Sequence, residues 1–152
     1  MSQAGTQQSP VEQSKAQVNP YLVFNGQCEA AFKLYEKVLG GKIESAFTFG
    51  DSPMAQQAPA DWGNKIMHAR MTIGNSVLMG SDAPPERYRP PQGFSLSVST
   101  KDPAEAERMF NELAAGGKVE MPLEKTFWAL KFGMLVDRFG VPWMINCEGQ
   151  AA

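Results

Sequence analysis

The chain holds one histidine, His68, and an arginine two residues further on, Arg70. On a strand, side chains two apart share a face. An imidazole able to carry protons near neutral pH would then stand beside a guanidinium able to grip an anionic group bidentately. As general acid–base and anion holder, the pair suits proton transfer on a small oxygenated substrate. Each also has an ordinary structural reading, a half-buried histidine satisfied by a carbonyl and a surface or salt-bridged arginine. Phe49, Trp62, Phe127, Trp128, Phe132 and Trp143 could wall an apolar pocket, although most aromatics are core. Among these, Phe49, Trp128 and Phe132 are taken as candidate substrate contacts, with Asp51 over the mouth of the site and Ser95 in its lining. Asp51-Ser52-Pro53 is equally ordinary turn chemistry. Ser95, Ser97 and Ser99 have no base partner visible in the sequence other than His68, so no nucleophile constellation emerges.

The totals bound the rest. At 152 residues, with 43% hydrophobic and 20% charged residues, the composition is that of a globular domain long enough to bury a core. A net charge of −2 and scattered basic residues give no electrostatic footprint for nucleic acid. No apolar run reaches the ~18–20 residues of a membrane span, and the polar N-terminus shows no secretory signal. Cys28 and Cys147 fit no metal or redox spacing. They read as buried free thiols, which suits a reducing, cytoplasmic setting.

Two helices must position these groups. Apolar residues at Cys28, Ala31, Phe32, Tyr35, Val38 and Leu39 form one helical face ending at Gly40-Gly41. Asp102-Pro103-Ala104-Glu105 combines an N-cap, a first-turn proline and a capping-box glutamate. It opens a second stripe, Ala106, Met109, Phe110, Leu113 and Ala114, that runs to Gly116-Gly117. At an offset of 76, Glu29, Ala30, Glu36, Gly40, Gly41, Lys42 and Glu44 recur as Glu105, Ala106, Glu112, Gly116, Gly117, Lys118 and Glu120. That is an internal repeat. Strand-like segments precede each helix and three follow it, the hairpin after residue 66 turning at Gly74-Asn75.

The expected fold is therefore α+β, two βαβββ units pairing into a curved mixed sheet around a central cleft. Residues 1–18 read as a disordered tail and 19–150 as one domain. Its first unit spans 19–82, a Pro-rich connector 83–92 and the second unit 93–148. The 50–64 loop is long enough to be a lid or binding loop. Alternation puts Met67, Ala69, Met71 and Ile73 under the first helix, with Ile66, His68, Arg70 and Thr72 opposite. Phe94, Leu96 and Val98 likewise face the second helix, leaving Ser95, Ser97 and Ser99 on the other side. The polar faces would line a trough, the default small-molecule site.

Residues 20–26 (PYLVFNG), 65–71 (KIMHARM), 126–128 (TFW), 131–133 (KFG) and 137–146 (DRFGVPWMIN) resemble the PhnB-like branch of the vicinal oxygen chelate superfamily. That superfamily includes glyoxalase I, fosfomycin- and bleomycin-resistance proteins and extradiol dioxygenases. The resemblance implies a small-molecule ligand and a homodimer. Members often carry the label of a demethylubiquinone methyltransferase, yet no Gly-rich strand–helix loop for such a cofactor is present. Metal-using relatives draw ligands from the opening strand of each unit and one later strand of each. Here those places offer Asn19-Pro20-Tyr21, Gly93-Phe94-Ser95, His68 and Met144 or Asn146. One strong ligand is not a metal site, so no cofactor is expected, a divalent metal being the minority reading. The resemblance leaves three functions: a small-molecule-binding lyase or isomerase, a non-catalytic sequestering protein of the resistance type, and a metal-dependent glyoxalase or dioxygenase.

Overall fold

The computed structural model describes residues 15–53 and 55–149; the tail reading of 1–18 lies outside the described residues as far as residue 14. The elements are β1 (Tyr21–Phe24), α1 (Cys28–Leu39), β2 (Lys42–Thr48), β3 (Ile66–Ile73), β4 (Ser76–Asp82), β5 (Leu96–Thr100), α2 (Pro103–Ala114), β6 (Lys118–Glu124), β7 (Lys131–Val136) and β8 (Pro142–Cys147). The βαβββ order thus occurs twice. Each unit makes its own four-stranded mixed sheet, β1-β4-β3-β2 and β5-β8-β7-β6, with the opening strand parallel to the last. They are two separate hydrogen-bonded sheets, neither strongly curled, rather than one continuous curved sheet.

Helix α1 buries Cys28, Ala31, Phe32, Tyr35 and Val38 and stops at Gly40, whose φ of 70° suits a residue without a Cβ. Gln27 supplies no side-chain cap. Instead Asp82, at the end of β4, accepts from Cys28 N at 2.8 Å and from Ile66 N at 2.9 Å. Helix α2 is capped locally by Asp102, which accepts from Ala104 N at 3.0 Å. The capping box is not reciprocal, because Asp102 N donates to Thr100 Oγ1 and Glu105 turns to Arg108.

The repeat register needs one correction. An offset of 76 fits β2 onto β6, but the helices span residues 28–39 and 103–114, an offset of 75. The buried positions Ala31, Tyr35 and Val38 then fall on Ala106, Phe110 and Leu113. The matched pair Ala30 and Ala106 confirms the slip, since the first is exposed and the second buried. Ala115, in an extended conformation, is the extra residue that restores the register before Gly116.

Strand faces largely follow alternation. Ala69 and Met71 are buried under α1, whereas Arg70 is exposed. Ile66 is buried against expectation. Phe47 pairs with His68 and Thr48 with Ile66, so a bulge at Met67 turns Ile66 to the core side. In the second unit Leu96 and Val98 pack against the core. Phe94 does not; it precedes β5 and is 50% exposed. One hydrophobic cluster runs through both units, from Phe24 and Phe32 through Tyr35 to Trp143 and Ile145. Tyr35 and Trp143 meet edge to face with ring centroids 5.1 Å apart.

Candidate functional site

The open face of the first sheet carries the proton-transfer candidate. His68, in the middle of β3, is half-buried, and its Nδ1 lies 3.3 Å from the Tyr21 hydroxyl two strands away. The two rings are tilted with centroids 5.8 Å apart. Its Nε2 has no hydrogen bond among the described residues. Phe47 sits directly opposite on β2, 53% exposed. Arg70 shares the face, with Ser45 and Met79 as strand neighbours, and makes no ion pair among the described residues. Imidazole, phenol and guanidinium thus stand in one patch with an uncovered aromatic beside them. Tyr21 is the member that residue types alone missed. Its place follows from the alternation Tyr21-Leu22-Val23-Phe24, in which Leu22 and Phe24 are buried and the other two exposed.

The remaining candidates are elsewhere. Trp128, in the loop before β7, and Phe132, on β7 of the second sheet, meet edge to face at 5.4 Å, with Phe127 against Trp128 at 4.8 Å. Trp128 is 52% exposed, so this wall is open rather than closed. Ser95 lines a groove of about 860 Å³ between the two units with Ser97, Ser99, Asn19 and Trp143. Phe49 lines a separate cavity of about 700 Å³ beneath the 50–64 loop. Asp51 closes a local turn, accepting from Thr48 Oγ1 at 3.1 Å. Neither cavity includes His68. Within one chain, therefore, the seven residues do not converge on a single trough.

Two buried carboxylates were also not singled out by sequence. Asp82 has a pKa raised above its ordinary 3.8, chiefly by burial, against the lowering effect of the Ile66 and Cys28 N–H groups and Lys65. Asp137 accepts from Tyr35, Trp143 Nε1 and the N–H groups of Phe139 and Val141. The Cys28 and Cys147 thiols are buried and free, and burial pushes both upward, away from thiolate character.

Of the four places where the resemblance implies metal ligands, Asn19-Pro20-Tyr21, Gly93-Phe94-Ser95, His68 and Met144 or Asn146, only His68 offers a strong one. Among the described residues, no three His, Cys, Asp or Glu side chains cluster to hold a metal ion. The donor set does not fit a catalytic divalent ion. No helix among the described residues is long and apolar enough to cross a membrane.

The duplicated βαβββ fold is that of the vicinal oxygen chelate superfamily. Residues 16–146 match a family described as 3-demethylubiquinone-9 3-methyltransferase, and the chain belongs to that family, the PhnB-like branch of the superfamily. It is 39% identical over 141 residues to Protein YjdN of Escherichia coli (strain K12), covering 88% of this chain and 96% of that protein. Protein PA1353 from Pseudomonas aeruginosa superposes with a TM-score of 0.80 at 53% identity, covering 88% of this chain and 98% of that one. A PhnB protein from Bacillus cereus, also described as a 3-demethylubiquinone-9 3-methyltransferase, gives 0.74 at 26% identity, covering 86% and 98%.

Proposed function

We propose that the protein binds a small oxygenated anion on the open face of the first sheet and moves a proton on it, as a lyase or isomerase does. His68 is the general acid–base and Arg70 the anion holder. The carrying observation is the state of His68: the Tyr21 hydroxyl lies 3.3 Å from Nδ1, while Nε2 has no partner among the described residues, and Arg70 is two residues on along the same strand. A hydrogen bond to one ring nitrogen orients the ring and leaves the other nitrogen to exchange protons. Methyl transfer, the activity in the family description, draws no support from the chain. Asn25-Gly26-Gln27, the link from β1 to α1, holds one glycine where a nucleotide-type cofactor loop holds several.

The same face supports a homodimer. Tyr21, Val23 and Phe47 leave an apolar surface around His68 that a second copy would cover, excluding water from the proton transfer. Its partner surface would be the aromatic wall of Trp128 and Phe132, which brings the two separated halves of the candidate site together. Ser95, Phe49 and Asp51 would border it. Two buried free thiols fit a cytoplasmic setting.

The test is proton–deuterium exchange at the carbon beside the carbonyl of small 2-oxo acids such as pyruvate, followed by NMR in D2O. Protein-dependent exchange that is lost in His68→Ala supports the reading. Binding with no exchange for any member of a 2-oxo and 2-hydroxy acid series assigns the protein to ligand sequestration instead. A monomer by sedimentation at micromolar concentration would remove the homodimer.

A further inference from the structure

The cavity beneath the 50–64 loop includes neither His68 nor Arg70, and Phe49 is the one residue of its wall also proposed to border the His68 face. The loop's neck is drawn shut. Phe49 N donates to Lys65 O and Gly50 N to Gly63 O, both at 2.9 Å, and a Cβ on Gly50 would meet Gly63 O at 2.9 Å. Within the loop, Trp62 N donates to Pro59 O at 2.9 Å, and Lys65 N to Trp62 O at 3.0 Å. A long segment with closed ends and its own internal bonds is a compact Ω-type loop, frequently a functional one. It folds over the residues that follow β4, and the space between is about 700 Å³.

The walls are flat and apolar: Phe49, Pro59 and Trp62 from the loop side, Pro84 from the other. The polar side chains are few: Gln57, the carboxylates of Asp82 and Glu86, and two donors, Trp62 and Arg87. Trp62 Nε1 is buried with no hydrogen-bond partner among the described residues. An indole N–H kept from water without an acceptor is costly and rare, and it asks for an acceptor. Arg87, also on the wall, is exposed and has no ion pair among the described residues. Asp82 reaches the cavity too, but both its oxygens are engaged by Cys28 N and Ile66 N. Glu86 on the same wall opposes an anion, whereas Lys65, outside the lining, has its Nζ 5.8 Å from the Trp62 ring centroid and donates to Gly26 O at 2.9 Å.

We propose that this cavity is a second ligand site, for a small molecule with a flat apolar body and a carboxylate. The carboxylate is held by the Arg87 guanidinium and accepts from Trp62 Nε1, with the ring system between Phe49, Pro59 and Pro84. The loop must ease outward for the carboxylate to reach the indole.

Benzoate is the probe, with benzamide and benzylammonium as neutral and cationic counterparts of the same shape, titrated into the full chain by NMR and calorimetry. A charge-assisted contact favours benzoate over benzamide by about tenfold or more. Arg87→Met should remove that preference, and Trp62→Phe, which keeps a ring but not the donor, should reduce it. Glu86→Gln should tighten benzoate. His68→Ala should leave benzoate affinity unchanged, separating this site from the sheet face. Equal binding of benzoate and benzamide overturns the proposal. So does tighter binding of benzylammonium, benzoate affinity indifferent to both Arg87→Met and Trp62→Phe, or no saturable binding at millimolar benzoate.

Discussion

Tyr35, on the helix of the first unit, donates its hydroxyl at 2.5 Å to Asp137, in the last hairpin turn of the second. Both residues are buried, and Asp137 collects three further donors: Trp143 Nε1 at 2.9 Å, Phe139 N at 2.8 Å and Val141 N at 3.0 Å. A buried carboxylate is tolerable only when its lone pairs are filled, and here the first unit supplies one of the fillings. Tyr35→Phe keeps the ring packing on Trp143 and should lower stability by about 1–3 kcal/mol. Asp137→Asn should cost more, about 3 kcal/mol or above, because an amide cannot accept from all four donors. Urea unfolding of both single variants and the double variant measures the coupling. A Tyr35→Phe protein within about 0.5 kcal/mol of the parent would show that the clasp contributes packing only.

Asp82 should make stability depend on pH in an unusual direction. Its carboxyl is raised above the ordinary 3.8 in the folded state, so folding favours its protonated form. A raised folded pKa gives stabilisation that is full at low pH and is lost as pH climbs through the folded value. Asp82→Asn removes this titration and costs a backbone acceptor. The stability advantage of the parent over Asp82→Asn should therefore shrink as pH rises from about 3 to about 6. An advantage that grows over that range would mean that the Cys28 and Ile66 N–H groups outweigh burial.

Gly41 and Gly117 occupy the same place in the two repeats, yet they should respond differently to a methyl group. At Gly41 a Cβ would meet the side chains of Ile73 and Met71 at 2.8 Å, groups that can move, and the Thr72 carbonyl at 3.0 Å. At Gly117 it would run into the Val136 carbonyl oxygen and, at 2.8 Å, the Asp137 carbonyl carbon, which are backbone. Gly117→Ala should destabilise by about 2–4 kcal/mol and Gly41→Ala by about 1 kcal/mol less or better. Thermal unfolding of the pair decides it, and equal losses would sink the distinction.

The two thiols should be silent toward a disulfide reagent such as DTNB in native buffer. Both are buried, and burial raises both pKa values, so little thiolate exists and little is reachable. Reaction should appear only in denaturant, with two thiols released per chain. Fast labelling of either cysteine in native buffer would contradict the packing of β8 and the start of α1.

Much of the fold was legible because two copies vote on each element. The double glycines, the apolar stripes of residues 28–39 and 103–114 and the Gly74-Asn75 turn are local signals, and each stands where expected. Sequence identity misled by one residue inside the helix, since exposed glutamates can match without their helical faces matching. Phe94 misled because alternation was extended past the true start of β5. The site was less legible. Parity correctly put His68 and Arg70 on the open face, but it could not supply Tyr21, two strands away, as the partner of Nδ1. Nor could it show that a turn residue, Asp137, is buried. Those facts depend on how elements pack, and spacing along the chain does not carry them.

The clasp also bears on how this chain could have arisen and where it can return. In the helix register, the position of Tyr35 in the second unit is filled by Phe110, and the turn opposite Asp137 in the first unit is Gly74-Asn75. Phenol and carboxylate therefore run in one direction only, from the first copy to the second. A protein made of two first copies would bury phenols with nothing to receive them, and one made of two second copies would bury carboxylates short of a donor. Whatever ancestor duplicated, the halves have since become complementary parts, and neither can stand in for the other.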